Sequence, residues 1–235
     1  MNRQAEFRSR YRAGHPSWRD SSSLFRQLLG SVSDSTTRVL DVGCGRRGLG
    51  SHLIDSTGLV VGADSDVPAL AGNVEIKRLV AAFAENLPFA DNSFDLMPLR
   101  FVVEHLPDPD RVFAEAARVL APGGRIAILT PNSHNPVTWV IRGIPNRYHH
   151  RLSSRFFGRN GDTYPVQYKA NSLPKLDRLL APHGFERESV MLNGDPSYLS
   201  FGRFSFAASR ALERVLATGP LRAGRVHLLA LYRKA

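Results

Sequence analysis

The stretch that most constrains this 235-residue sequence is Val39-Leu40-Asp41-Val42-Gly43-Cys44-Gly45, an apolar run ending in a glycine turn. A short apolar run bounded by glycine reads as a buried strand, and a helix-like segment follows it from Gly48. Glycines in such a turn let the backbone approach a ligand with no Cβ in the way. In open α/β folds that approach happens at the carboxyl edge of the parallel sheet. Gly43, Gly45 and Gly48 also satisfy G-x-G-x-x-G, the pattern of a dinucleotide turn, so the glycines alone do not select a ligand.

The acids beside the turn narrow the choice. Asp41 lies two residues before the first glycine, where a carboxylate orients the loop and can face a cationic amine. A pyrophosphate in that position would meet like charge. Asp64 closes the next strand candidate, where a carboxylate can accept hydrogen bonds from both hydroxyls of a ribose. The plainer alternatives are that Asp41 only braces the turn and Asp64 only caps the following helix.

From Arg38 to Leu192 short apolar runs alternate with helix-like segments, which predicts an α/β fold, a Rossmann-like parallel sheet with helices on both faces. The strand candidates are Arg38–Val42, Leu59–Asp64, Val74–Val80, Phe94–Leu99, Arg125–Thr130, Glu186–Leu192 and Val226–Tyr232. A helix is expected from Pro109, capped by Asp108 and stopped by Pro122-Gly123-Gly124, with another from Asn171 or Ser172 to His183-Gly184. Ser21–Val32 reads as an added helix. The alternation is interrupted at residues 131–170 and 193–224, the second carrying an amphipathic helix near Phe204–Leu216. The organisation expected is therefore a single domain over residues 1–235, with an N-terminal helical extension at 1–37 and two insertions that form a substrate cap. Loops of such length in a compact domain usually carry function or structure of their own.

Three further blocks follow the glycine turn in order: Ala84-Glu85-Asn86-Leu87-Pro88-Phe89 with Asn92-Ser93-Phe94-Asp95, then Val103-Glu104-His105-Leu106-Pro107-Asp108-Pro109, then Arg118-Val119-Leu120-Ala121-Pro122-Gly123-Gly124. Together the four blocks resemble the class I S-adenosylmethionine-dependent methyltransferases, in particular the ubiquinone/menaquinone-biosynthesis-like branch that acts on small molecules. The resemblance implies seven strands, the last antiparallel, and S-adenosyl-L-methionine as cofactor. It implies that Gly43 and Gly45 border the amino-acid part of the cofactor and that Asp64 holds its ribose. By the same resemblance Ala84 and Glu85 lie near the adenine, and Leu99 and Arg100 beside the methionine portion. Three positions depart from the pattern. Phe83 stands where such proteins usually have an acid for the adenine amino group, and Arg46-Arg47-Gly48 replaces a small-residue ending of the loop. Pro98 falls inside a central strand, where it has no N–H to donate and is expected to end or bend the strand.

A sulfonium already carries an activated methyl group, so methyl transfer needs an aligned nucleophile and exclusion of water, with neither a metal nor a covalent intermediate obligatory. A hydroxyl or carbon acceptor also needs a base. The candidates are His105, Tyr148 and His149, with His134 and His150 as further histidines in useful titration range. Trp139, Phe156, Phe157, Tyr164 and Tyr168 either line an apolar acceptor site or pack a cap against the sheet.

The net charge of +10 comes mainly from arginine, since Lys77, Lys169, Lys175 and Lys234 are the only lysines among 31 basic residues. That surplus could attract nucleic acid, anionic lipid or an acidic substrate, while the scattered arginines, with no run of five or six like charges, suit a solvated surface. Nucleic-acid methylation, a nicotinamide-dependent oxidoreductase and a non-catalytic binding subunit of the same fold are the competing readings. Cys44 is the sole cysteine, which excludes an intramolecular disulfide and a cysteine-based zinc site and suits a reducing cytoplasm. Residues 1–20 are polar and arginine-rich, unlike a signal peptide. The apolar runs fall short of the ~20 residues of a membrane span, which leaves peripheral membrane contact open.

Overall fold

The computed structural model describes residues 3–142, 164–198, 200 and 202–235. All seven strands form: β1 Arg38–Val42, β2 Leu59–Asp64, β3 Arg78–Ala81, β4 Phe94–Arg100, β5 Leu120–Pro131, β6 Phe185–Asn193 and β7 His227–Lys234. They make one sheet in the order β3-β2-β1-β4-β5-β7-β6. Only β7 runs against its neighbours β5 and β6, as expected. The order reverses beside β1, whose neighbours are β2 and β4, so the crevice for a ligand opens above the end of β1.

Alternation along the strands builds one core on each face of the sheet. Leu40, Met97, Ile126, Ile128 and Leu228 point to one face, and Val39, Leu96, Ala127, Leu129 and Leu229 to the other, all 2% exposed or less. Helix α5 (Pro109–Val119) covers the first face with Val112, Phe113 and Ala116, joined by Leu176 and Leu180 of α7 (Leu173–Leu180). The second face is covered by Phe25 and Leu29 of α2 (Ser21–Ser31) and Leu53 of α3 (Ser51–Ser56). Each of these valine, leucine and phenylalanine side chains contributes about 1.5–3 kcal/mol by burial. The expected caps hold: Asp108 accepts the Arg111 N–H, Pro109 opens α5, and Gly184 ends the α7 region at φ +78°. Asp20 caps α2 by accepting the Ser23 N–H at 2.9 Å. The remaining described α-helices are α1 (Arg3–Gly14), α4 (Val67–Ala71), α6 (Pro136–Arg142) and α8 (Arg203–Leu216). Phe7 of α1 stacks on Phe206 of α8 with ring centroids 4.8 Å apart.

Three local expectations are corrected. β3 begins at Arg78 and not at Val74, because the Asn73 side chain accepts the N–H groups of Glu75 and Ile76 and folds that stretch into a turn, leaving Val74 91% exposed. α5 stops at Val119, before Pro122-Gly123-Gly124, and those residues lie within the long β5 with Gly123 at φ +79°. Pro98 does not end β4, which stays in register with β5 from Met97↔Ile126 through Arg100↔Leu129. On the other side β4 pairs with β1 at Val39↔Leu96 alone, two residues short of the proline, so it is on this side that the ladder stops before Pro98.

Candidate functional site

The glycine turn leaves β1 with Gly43 at φ +71° and Gly45 at φ +55°. Its N–H groups at Gly43 and Cys44 both donate to Ala63 O, at 2.7 and 3.3 Å. Gly43 is required by packing as well as conformation, since a Cβ there would lie 2.4 Å from Cγ2 of Val102. At Gly45 the opposite holds: a Cβ would meet nothing within 4 Å, so this backbone faces open space at the sheet edge. Two side chains hold it in place. Asp64 Oδ2 accepts the Gly45 N–H at 2.8 Å, and Asn73 donates to the Gly45 carbonyl at 2.8 Å.

Asp41 is 2% exposed, and its Oδ2 has no hydrogen-bond partner. It sits under the turn, 3.5 Å from where a Cβ of Gly48 would stand. Burial pushes this carboxyl up to about 7, against the pull of the Arg100 guanidinium and reinforced by the nearby Asp64 and Glu75 carboxylates. Arg100 itself folds back from the end of β4 and donates to the carbonyls of Arg47 and Gly48 at 3.0 and 2.9 Å. The replacement Arg46-Arg47-Gly48 is thereby clamped from below. Leu99 is wholly buried in the core, so only its backbone reaches the edge.

Past β3, Phe83 projects at 69% exposure, with Ala84 and Glu85 half-buried beside it. The following block is locked onto α5 by Arg118, which donates to Phe89 O at 2.6 Å and Leu87 O at 2.8 Å, while Glu115 accepts the Leu87 N–H at 2.7 Å. Two sequence blocks far apart in the chain are thus one structural unit.

The end of the first insertion crosses this edge as a strap. Tyr164 donates its hydroxyl to Asp66, just after β2. The Pro165 carbonyl lies 3.0 Å from Nδ1 of His105, and the N–H groups of Gln167 and Tyr168 donate to Glu104 O at 2.7 and 3.2 Å. Beneath the strap, Glu104 is buried and accepts from Thr130, which accepts in turn from Asn171. Burial raises the Glu104 carboxyl above the usual carboxylate range. His105 is half-buried, with its ring edge-on to Tyr164. A carbonyl can only accept, so the neutral ring carries its proton on Nδ1 and leaves Nε2 as the acceptor. His134 is exposed, and Trp139 is 60% exposed with its indole N–H on Ser133 O. Tyr148, His149, His150, Phe156 and Phe157 lie outside the described residues.

Sequence reading singled out Asp41, Gly43, Gly45, Asp64, Phe83, Ala84, Glu85, Leu99, Arg100 and His105, and the structure gathers their segments along one sheet edge. It missed Asn73, Glu75, Asp66 and Glu104. Asn73 and Asp66 occupy turn and cap positions, which is a signal too common to stand out.

A doubly wound sheet with a ligand crevice beyond β1 and carboxylates at the ends of β1 and β2 defines a nucleoside-binding α/β class. Comparison with known proteins makes the class specific. A family model described as a methyltransferase domain matches residues 40–128. The ubiquinone/menaquinone biosynthesis C-methyltransferase of Brucella canis is 31% identical over 177 residues, covering 69% of this chain and 61% of that protein. The demethylmenaquinone methyltransferase of Listeria monocytogenes is 30% identical over 182 residues, covering 70% of this chain and 73% of that protein. Among solved structures, a methyltransferase from Thermotoga maritima, a possible histamine N-methyltransferase, superposes with a TM-score of 0.60 at 18% identity, covering 99% of this chain and 97% of that one. The chain belongs to the class I S-adenosylmethionine-dependent methyltransferase family, in its ubiquinone/menaquinone-biosynthesis-like branch. The nicotinamide reading of the glycine turn falls with that. The match to the Brucella relatives spans 61% of their length. No described helix is long and apolar enough to cross a membrane.

Proposed function

We propose that this protein transfers a methyl group from S-adenosyl-L-methionine to a small, lipid-like acceptor of the demethylmenaquinone type, in a reducing cytoplasm. The observation that carries the reading is the pairing of Asp41 and Asp64 across the glycine turn, one buried carboxylate with an unpartnered oxygen and one half-exposed carboxylate at the crevice.

The residues present fit the cofactor. Gly45 offers bare backbone against open space, and the orphaned Asp41 oxygen suits a cationic amine, which would hold that buried group in its charged form. Asp64 spends one lone pair of each oxygen on the N–H groups of Asp66 and Gly45, at 2.9 and 2.8 Å. A carboxylate has about four acceptor sites, so two remain for ribose hydroxyls. Phe83 offers an apolar ring to adenine in place of the usual acid. When bound, the cofactor supplies an activated methyl group on a sulfonium.

The work left to the chain is alignment, exclusion of water and custody of one proton. A cap from the two insertions over the acceptor side is supported by the strap from Tyr164 to Ala170, which spans the edge from Asp66 to Glu104. His105 takes the proton that a hydroxyl or carbon acceptor gives up, through Nε2. Tyr148 and His149 serve the same acceptor from the first insertion.

Calorimetric titration with S-adenosylmethionine and with NADH, followed by transfer of labelled methyl to a demethylmenaquinone analogue, tests the proposal. Binding of the methyl donor alone and a labelled product are expected. Absence of donor binding at millimolar concentration would replace it with the non-catalytic reading.

A further inference from the structure

Helix α8 turns an apolar strip to solvent. Phe204, Ala207, Ala208, Ala211 and Val215 fall within an arc of roughly 100° at 3.6 residues per turn, and all are exposed, Phe204 by 94% and Val215 by 54%. The strip continues to Leu221 in the tight turn Gly219–Gly224 that follows. The inward side of the same helix carries Phe206 and the buried acid Glu213. With Leu216 also buried inward, the helix carries apolar surface on both sides, and the outer strip exceeds what a surface helix needs for its core contact.

Arg203, Arg214 and Arg222 border the strip, all exposed and none in an ion pair among the described residues. From Arg203 to Arg225 the sole acid is the buried Glu213. The unit is fixed to the carboxyl edge of the sheet: Asn132 donates to the carbonyls of Ala223 and Arg225 at 2.8 and 2.9 Å, and Asn135 to that of Gly224 at 2.5 Å. The strip therefore belongs to the same side of the molecule as the segment leaving β5.

We propose that this face of α8 docks on an anionic lipid bilayer, with Phe204, Val215 and Leu221 entering the headgroup region and Arg203, Arg214 and Arg222 meeting lipid phosphates. Charge and shape choose this occupant. A nucleic acid would engage the arginines but leave Phe204 in water. A second copy applying this same face would offer the arginines no acid, since Glu213, the sole acid of the stretch, is buried. An anionic bilayer satisfies both features at once, since interfacial helices bind through buried apolar area together with attraction to acidic lipids.

Sedimentation with phosphatidylcholine vesicles, with and without phosphatidylglycerol, tests the proposal on the full chain. The protein is expected to pellet with the phosphatidylglycerol vesicles at low salt and to be released at high salt. Each arginine at such a surface is worth about fivefold in partitioning, so R203E/R214E should weaken binding by about 25-fold or more. Phe204→Ser should weaken it by about tenfold. Both changes fall on exposed side chains and should leave the melting temperature unchanged, which separates lost docking from lost folding. Failure to pellet with phosphatidylglycerol vesicles overturns the proposal, as does pelleting that neither variant reduces. Two alternative occupants would overturn it equally: a dimer in solution that Phe204→Ser dissociates, or binding of an RNA oligomer that R203E/R214E abolishes in the absence of vesicle binding. Vesicle binding is read without cofactor or acceptor, so a negative result leaves the methyl-transfer reading standing, and the reverse also holds.

Discussion

Asp64 and Gly45 are joined by a 2.8 Å hydrogen bond from the glycine N–H to Oδ2, which ties the end of β2 to the turn after β1. One carboxylate thereby shapes the backbone cradle and presents its remaining lone pairs to the crevice. Asp64→Asn keeps the size, removes the charge, and with a single acceptor oxygen can hold only one of the Gly45 and Asp66 N–H groups. Each charge-assisted bond lost is worth about 1.5–3 kcal/mol, so affinity for S-adenosylmethionine should fall at least about tenfold, and about 100-fold if both ribose bonds weaken. Calorimetric titration measures this, and unchanged affinity in a folded variant would remove Asp64 from the site.

Asp41 sets stability against function. Its folded-state carboxyl lies at about 7, above the ordinary value of 3.8, so the native protein holds a proton that the unfolded chain has released between those limits. Stability from this group is therefore full below about pH 4 and declines as pH rises to about 7. Asp41→Asn removes the decline and should raise stability at pH 8 by about 2 kcal/mol or more, since each pKa unit corresponds to about 1.4 kcal/mol. The same variant should bind S-adenosylmethionine more weakly, because a neutral amide cannot balance a cationic amine. In the parent protein cofactor affinity should fall as pH drops through about 7. Denaturant melts and titrations from pH 5 to pH 8 read both effects, and an Asn variant that is less stable at pH 8 would contradict the assignment.

Much of this was legible because local signals agreed with the global fold. The run ending in Gly43 announced both a buried strand and its turn, and β7 was correctly placed antiparallel through the family resemblance. The errors occurred where a short side-chain turn or an unseen strand pairing overrode the local pattern. Val74 reads as strand until Asn73 captures the next two N–H groups. Pro98 reads as a strand breaker unless one knows that β1 pairs with β4 two residues earlier. In the site, the carboxylates were visible as residue types at strand ends. The Arg100 clamp on Arg47 and Gly48 was not, because it spans about 50 residues of sequence and depends on which way one guanidinium folds. Helix α8 was legible from its periodicity, expected near Phe204–Leu216 and found at Arg203–Leu216, whereas the inward placement of Glu213 was not.

Phe83 offers a test of adenine recognition independent of charge. Its ring is 69% exposed, so truncation disturbs no core. Stacking of this kind is worth about 0.5–1.5 kcal/mol, so Phe83→Ala should reduce affinity for both S-adenosylmethionine and its demethylated product by about three- to tenfold, with the melting temperature unchanged. Equal loss for both ligands is the diagnostic result, because the ring would touch the part they share. A loss confined to one of them, or none, would remove Phe83 from the adenine site.

His105 can be resolved into two roles, because its two ring nitrogens face different tasks. Nδ1 meets the Pro165 carbonyl at 3.0 Å and pins the strap, while Nε2 is the nitrogen proposed to receive a proton. Asparagine reproduces a donor at the Nδ1 position and has nothing at Nε2, whereas alanine removes both. If the side chain only pins the strap, His105→Asn should retain activity that His105→Ala loses. If Nε2 is the base, the two variants should lose turnover alike, by about 10²–10⁴-fold as for other positioned bases, while affinity for S-adenosylmethionine stays within a few-fold because the residue lies outside the glycine turn. Single-turnover rates with saturating donor separate the cases. Near-parental turnover in His105→Asn would assign the proton to another group, and the first insertion, with Tyr148 and His149, would be the place to look.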